Sequence, residues 1–291
     1  MTRTFRVAGH LFSVITPEDH PLAGKMAQYG PFEVADAAEE PLFTLELVDR
    51  LPDIPAEKVY GGSEEEGQPV IELFRAGETW IYEMAVCSGR PVCARMHSDS
   101  SFSRGRLQIL NPEEGLFGLN NALMLLFAFR TAGLGTLEMH ASVIVNGGRA
   151  FLWLAKSGTG KSTHSRMWLE NVPGSRLLND DNPIVRVLDD GTVEVYGSPW
   201  SGKTPCYRNE HYPAGAFVQI RRSPDNVITR LSVLESYALL YSSSSGFKSD
   251  AAMADGLHAT FEKIISRIPC YALDCRPDAD AARVCSAELM K

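Results

Sequence analysis

Apolar and polar residues alternate along the first third of the chain. The run Phe5-Arg6-Val7-Ala8-Gly9-His10-Leu11-Phe12-Ser13-Val14 does so, and so do residues 42–48 and 70–74. Residues 79–84 follow after an Ala-Gly-Glu turn. A period of two marks half-buried strands, and their close spacing predicts an antiparallel meander. The pattern changes near residue 110. Leu116, Leu119, Leu123, Leu126 and Phe127 fall at helical spacing, so a core helix is expected over 113–132, ended by Gly133 and Gly135. Beyond it, residues 137–145 and 150–154 read as two strands. The turn Asn146-Gly147-Gly148 joins them, and Asn-Gly between apolar runs signals a hairpin.

Later residues continue the mixture. Strands are expected at 176–179, 184–187, 193–196, 216–220 and 270–274, and helices at 162–170, 232–242, 250–266 and from 278. The expected class is α/β (mixed α+β), with a β-rich region over 1–110 and a second domain over 111–291. No internal repeat is visible. Residues 242–246, Ser-Ser-Ser-Ser-Gly, read as a connector or a lid. The acidic run 61–67 reads as a solvated hairpin tip.

Composition narrows the function classes. The chain has 291 residues and is 44% hydrophobic, enough for one large core or two modest ones. Its net charge of −8 argues against a nucleic-acid surface. The longest apolar stretch, 122–129, is too short to span a bilayer, so no membrane segment is expected. The six cysteines form no C-x-x-C pair and read as packed or incidental thiols of a reduced compartment. With no secretory signal visible at the N-terminus, a cytoplasmic location is expected.

The chemistry is concentrated around Ala155-Lys156-Ser157-Gly158-Thr159-Gly160-Lys161-Ser162-Thr163. An apolar strand precedes this run and a helix follows it. Small residues let successive backbone N–H groups face one concavity, and the helix N-terminus adds a positive end. Ser157, Gly158, Thr159, Gly160, Lys161, Ser162 and Thr163 are therefore the candidate nucleotide ligands. Lys161 would meet the outer phosphates and Ser162 would give an oxygen to Mg²⁺. Asp180 and Asp181 close the following strand. Two adjacent carboxylates can divide metal binding from proton abstraction. One of them could equally cap a turn before Asn182-Pro183.

Other residues carry a chemical and a structural reading side by side. His140 could reach the acidic pair, or be a satisfied core histidine. The turn 197–204 carries Lys203, which could neutralise a transferring phosphate; it could equally be a surface loop around a buried Trp200. Arg208, Arg221 and Arg222 are further anion partners or strand-end charges. His164 and Arg166 read as packing or surface residues of the loop helix.

Met139-His140-Ala141-Ser142, the phosphate loop, and Leu177-Leu178-Asn179-Asp180-Asp181 occur in an order and spacing that resembles the catalytic domain of HPr kinase/phosphorylase and its relatives, within the PEP-carboxykinase-like P-loop class. The resemblance covers roughly residues 135–205. It implies a mixed-sheet P-loop domain that binds ATP and Mg²⁺ and phosphorylates a hydroxyl of a protein, peptide or small molecule. Carried onto this sequence, it makes Lys161 a phosphate ligand, Ser162 and Asp181 the metal ligands, and Asp180 or Asp181 the base. His140 stands beside them, with Lys203 as a further catalytic candidate. It also implies a tendency to form homo-oligomers. The family's usual opening Gly is Ala155 here. A nucleotide-responsive binding protein, a PEP-carboxykinase-like enzyme and pyrophosphate as donor remain alternatives, and the β-rich region is expected to select the acceptor.

Overall fold

The computed structural model describes residues 1–35, 37–61, 68–202 and 204–291. The chain folds as two units, Met1–Arg130 and Thr131–Lys291. The boundary follows the core helix, where the change of sequence pattern places it before that helix, at 110.

The first unit is built on one eight-stranded sheet. Its strands are β1 (Thr2–Val7), β2 (His10–Ile15), β3 (Phe43–Leu47), β4 (Glu57–Tyr60), β5 (Val70–Ala76), β6 (Thr79–Ala85), β7 (Ala94–Ser98) and β8 (Arg104–Ile109). They lie in the order β1-β2-β3-β8-β7-β6-β5-β4. The meander expected from the alternation is present from β4 to β8. It does not extend through the whole sheet, because β3 runs parallel to both β2 and β8. The connections on either side of β3 exceed a hairpin, and only such longer connections permit parallel neighbours. The acidic run at 62–67 lies outside the described residues.

Helix α1 (Gly115–Thr131) follows β8. Gly115, Gly118, Leu119, Ala122, Leu123, Leu126 and Phe127 line its inner face or lie close to it, and Leu119, Ala122, Leu123, Leu126 and Phe127 are fully buried, which is the one-sided spacing of a helix lying on a sheet. Leu116 is only partly buried. The approach is close. A Cβ on Gly118 would overlap that of Ala94, and one on Gly105 would meet Leu126 at 2.8 Å.

The second unit contains β9 (Thr136–Glu138), β10 (Ala141–Asn146), β11 (Arg149–Leu154), α2 (Lys161–Asn171), β12 (Arg176–Asp181), β13 (Ile184–Val187), β14 (Val193–Tyr196) and β15 (His211–Arg222). Then come β16 (Val227–Arg230), α3 (Val233–Ser243), α4 (Ala251–Ile265), β17 (Cys270–Cys275) and α5 (Ala279–Leu289). Long β15 links two groups of strands. Its first residues pair with β14, and its remainder lies between β11 and β17, parallel to both. β11 continues through β10 to β12 by antiparallel pairing. The Asn-Gly-Gly turn is a two-residue hairpin with φ of 55° and 74° at Gly147 and Gly148, the doubly positive turn that matches strand twist.

β10 is buried along its whole length, and β11 everywhere except Arg149. Phe151 and Trp153 face a core formed with Met167 and Trp168 of α2 and with Ala281, Ala282, Cys285 and Leu289 of α5. That core holds α2, and hence the loop before it, against the end of β11. Ser232 caps α3 through a reciprocal bond with Glu235, and Asp250 and Asp278 cap α4 and α5. Five of the six cysteines are buried and all are free thiols. Among the described residues no helix is long and apolar enough to cross a membrane.

Gly118→Ala should destabilise the first unit by ~1–3 kcal/mol, because the added methyl overlaps Ala94. Ala94→Gly in the same chain should restore most of the loss. Urea midpoints of the single and double variants measure this. A stabilised Gly118→Ala protein, as helix propensity alone would give, would contradict the packing.

Candidate functional site

The loop between β11 and α2 is shaped by two glycines. Gly158 has φ 74° and Gly160 φ 133°, values that L side chains adopt rarely, so the Gly-x-Gly spacing is needed for the backbone and not for space. Ala155, where the loop opens, has no positive φ and needs no glycine. Arg222, at the end of β15, donates to the carbonyl oxygens of Gly158 at 2.5 Å and Thr159 at 3.2 Å. The arginine that the sequence offers as an anion partner thus braces the loop's backbone.

Register places the acidic pair. β10 pairs with β12 so that Asp180 lies opposite Ser142 and Asp181 opposite Ala141. Paired residues share a face and consecutive ones alternate. Ser142 Oγ lies 2.6 Å from Ser165 Oγ of α2, so Asp180 belongs to the helix side. There Ser162 Oγ donates to Asp180 Oδ1 at 2.9 Å. Asp181 takes the other direction. Its carboxylate stands 3.2 Å from His140 Nε2, and the same ring nitrogen is 2.7 Å from Lys161 Nζ. The hydroxyl of Ser162 thus sits with Asp180 and not with Asp181.

His140 is also placed differently from expectation. The apolar run 137–145 is two strands, β9 and β10, and His140 lies in the break between them. There the backbone bonds leave the sheet pattern: Met139 N donates to Pro183 O and His140 N to Ser243 O. Residues 242–246 are tied to this break, since Ser245 N donates to Glu138 O and Met139 bridges Ser244. They act as a connector that fixes the histidine.

Asp181 has φ 130°, a strained value for a residue with a side chain. A buried network holds it. Asn179, fully buried, donates to Ser198 Oγ and Trp200 O and accepts from Asn182 N. Ser198 Oγ in turn donates to Asn182 O. Ser201 bridges Asp181 and donates its hydroxyl to Asp180 O. Residues 198–202 thus fold against the acidic pair with Trp200 buried, while Lys203 lies outside the described residues.

The charges shape one another. Burial lowers the Lys161 ammonium pKa, opposed by Asp181 and Asp180. Burial also works to raise the Asp181 carboxyl, but the hydrogen bond and charge of His140, with Lys161 and Asn182, outweigh it and leave Asp181 below the usual range. His140 Nε2 can accept from Lys161 or donate to Asp181, and cannot do both with one proton.

These groups line a cavity of about 340 Å³ with Ser157, Gly158, Gly160, Thr163 and Gly202. Thr159 is not among its lining residues and faces a neighbouring cavity. Arg208 pairs with Glu210, Arg221 bonds Gln219, and Arg166 pairs with Glu170, all away from the cavity lining. Among the described residues no group of three His, Cys, Asp or Glu side chains could hold a metal by itself. Mg²⁺ does not need one: it takes oxygen donors, keeps several waters and binds through one or two carboxylates with substrate phosphates. Ser162 and Asp180 fit that donor set.

Neither a protein-family model nor a curated protein matches the sequence. A solved structure of the Hpr(Ser) kinase/phosphatase from Coxiella burnetii matches at 10% identity and a TM-score of 0.31, over 53% of this chain and 96% of that chain. At that level of likeness the reading of the site rests on its own geometry.

One participant escaped the motif reading. Asn179 stood in the motif Leu177-Leu178-Asn179-Asp180-Asp181 with no role of its own, whereas Glu138 was visible only as one carboxylate in the apolar run Leu137-Glu138-Met139. It is 1% exposed with Oε1 unpartnered. Burial first, and the nearby Asp181 second, push its carboxyl up to about 8.

Since its pKa is raised on folding, the folded protein keeps a proton that the unfolded chain releases between pH 4.5 and about 8. Stability should therefore fall as pH rises through that window. Glu138→Gln should flatten the fall and stabilise the protein at pH 8, by on the order of a few kcal/mol. Denaturant titrations at pH 5 and 8 measure it. An identical pH dependence in the variant would contradict a proton held at Glu138.

Proposed function

We propose that the chain is a phosphotransferase: it holds a nucleoside triphosphate, ATP in the simplest case, through the loop 155–163 and transfers the terminal phosphoryl group to a hydroxyl. The observation that carries the reading is the convergence of Lys161, His140 and Asp181 on one side of the cavity and of Ser162 with Asp180 on the other. A bare anion-binding turn needs only the loop and the helix N-terminus. It does not need two carboxylates with separate partners.

The roles divide as the contacts do. Backbone N–H groups of the loop and Lys161 hold the phosphates and offset charge on the transferring group. Ser162 and Asp180 hold Mg²⁺, which when bound neutralises phosphate charge. Asp181, ionised, accepts the proton of the attacking hydroxyl. His140 orients that carboxylate by donating from Nε2, and Lys161 is then left to the phosphates. The strain at Asp181 and the Asn179 network keep the base aimed at the cavity. The first unit selects the acceptor in this reading. What supports that role is a cavity of about 400 Å³ in it, lined by apolar Phe74, Ile81 and Ile54 together with Arg95, Glu83 and His97.

With γ-labelled ATP and a panel of hydroxyl acceptors, including water and serine peptides, wild type should transfer label. Asp181→Asn should lower the rate about 10²–10⁴-fold with nucleotide binding retained. Asp180→Asn and Ser162→Ala should raise the Mg²⁺ concentration that is needed. Transfer by Asp181→Asn at the wild-type rate would overturn the assignment of the base.

A further inference from the structure

The first unit has a cavity of its own, and its construction can be followed across the sheet. Met96 and Gly105 face Leu126 of α1, so Arg95 and His97, on either side of Met96, face the opposite way. On that open side Phe74 lies across from Ile81, Ile81 from His97, and Glu83 from Arg95. The segment between β3 and β4 crosses above them. Leu51 N donates to Gln108 of β8 at 3.1 Å, and Asp53 accepts from Arg95 of β7 at 3.1 Å. Pro52 and Pro55 restrict its backbone. Between this segment and the strands is the cavity of about 400 Å³.

Phe74, Ile81, Ile54 and the two prolines give it apolar walls. Its polar groups have bonding capacity left over. Arg95 Nε and Nη2 both donate to Glu83 Oε1, at 2.9 and 2.6 Å, and Nη1 donates to Asp53. A guanidinium has five N–H groups, so two remain. Glu83 Oε2 has no hydrogen-bond partner among the described residues. His97 is 8% exposed, and neither of its ring nitrogens has a hydrogen-bond partner among the described residues. Both nitrogens keep open surface. Burial first, then Arg95 and Arg106, lower its pKa against the pull of Asp53, so the ring is neutral and offers one donor and one acceptor. Buried polar groups are as a rule paired, and a ring left unpaired on a cavity wall calls for a ligand.

We propose that this cavity binds a small zwitterion with an apolar body: an α-amino acid with a large aliphatic or aromatic side chain. The ammonium meets Glu83. The carboxylate meets the free N–H groups of Arg95 and the ring of His97, and the side chain lies against Phe74 and Ile81. An anion alone would face the carboxylates of Glu83 and Asp53, and a cation alone would face Arg95. A zwitterion meets each with the opposite charge. The volume is at the small end of ligand pockets and suits one such molecule. Binding here is independent of the phosphate loop, which belongs to the other unit. Only the use of the ligand as acceptor rests on the phosphotransferase reading, and it then requires a hydroxyl-bearing member of the class, such as tyrosine.

Calorimetric titration of the full chain compares L-phenylalanine with phenylpropionate, which lacks the ammonium, and with phenethylamine, which lacks the carboxylate. Wild type should bind L-phenylalanine at one site and each analogue at least about tenfold more weakly. Glu83→Gln should weaken L-phenylalanine about tenfold and bind phenylpropionate no more weakly than wild type does. Equal affinity of wild type for L-phenylalanine and either analogue would overturn the zwitterion site, as would unchanged L-phenylalanine affinity in Glu83→Gln. So would the absence of saturable binding of L-phenylalanine, L-tyrosine and L-leucine by wild type. Equally tight binding of N-acetyl-L-phenylalanine amide would overturn it in favour of a peptide segment. If Glu83→Gln misfolds, the comparison of ligands on wild type decides. Mg·ATP titrated into the same protein reports on the phosphate loop separately, so the failure of one reading is distinguished from the failure of the other.

Discussion

The register between β10 and β12 sets Asp180 across from Ser142 and Asp181 across from Ala141, and the charged contacts of the site follow from it. One residue of slip would exchange the two faces. Asp180 would leave Ser162, and Asp181 would leave His140 and Lys161. The register is secured because β10 is buried along its whole length and paired on both sides, to β11 and to β12. A strand so enclosed cannot shift without exposing apolar surface and breaking two ladders.

The packing of α2 supplies the second half of the geometry. Trp168 and Met167 anchor the helix on Phe151 and Trp153, which fixes where Lys161 and Ser162 emerge from the loop. Lys161 is then buried enough to lose hydration and close enough to Asp181 and His140 to recover it. The site concentrates features that a structure selected for stability alone would shed. A strained aspartate, a buried lysine, and the carboxyl of Glu138 with an unpartnered oxygen lie near one another. Such departures gather where geometry must be held for chemistry.

Much of this was legible in the residues. The loop glycines, the Asn-Gly-Gly hairpin, the helix starts near 232, 250 and 278 and the acidic pair all stand at positions where local chemistry demands them. What was not legible depends on pairing between distant segments. The run 137–145 reads as one strand because apolar periodicity carries no sign of a change of partner, yet the break at Met139-His140 is what frees the histidine. The parallel placement of β3 was hidden for the same reason. Which aspartate meets Ser162 turns on strand register, and no motif states it. Arg222 and His164 take their places from the meeting of β15, α2 and the loop, which is a tertiary event.

The central claim is that the loop, with Lys161 at its end, binds nucleotide phosphates. Titration calorimetry of Mg·ATP into wild type and Lys161→Ala tests it most directly. The account predicts saturable one-site binding by wild type, weakened at least about tenfold by loss of the ammonium. Absence of binding by wild type, or equal affinity in the variant, would contradict it.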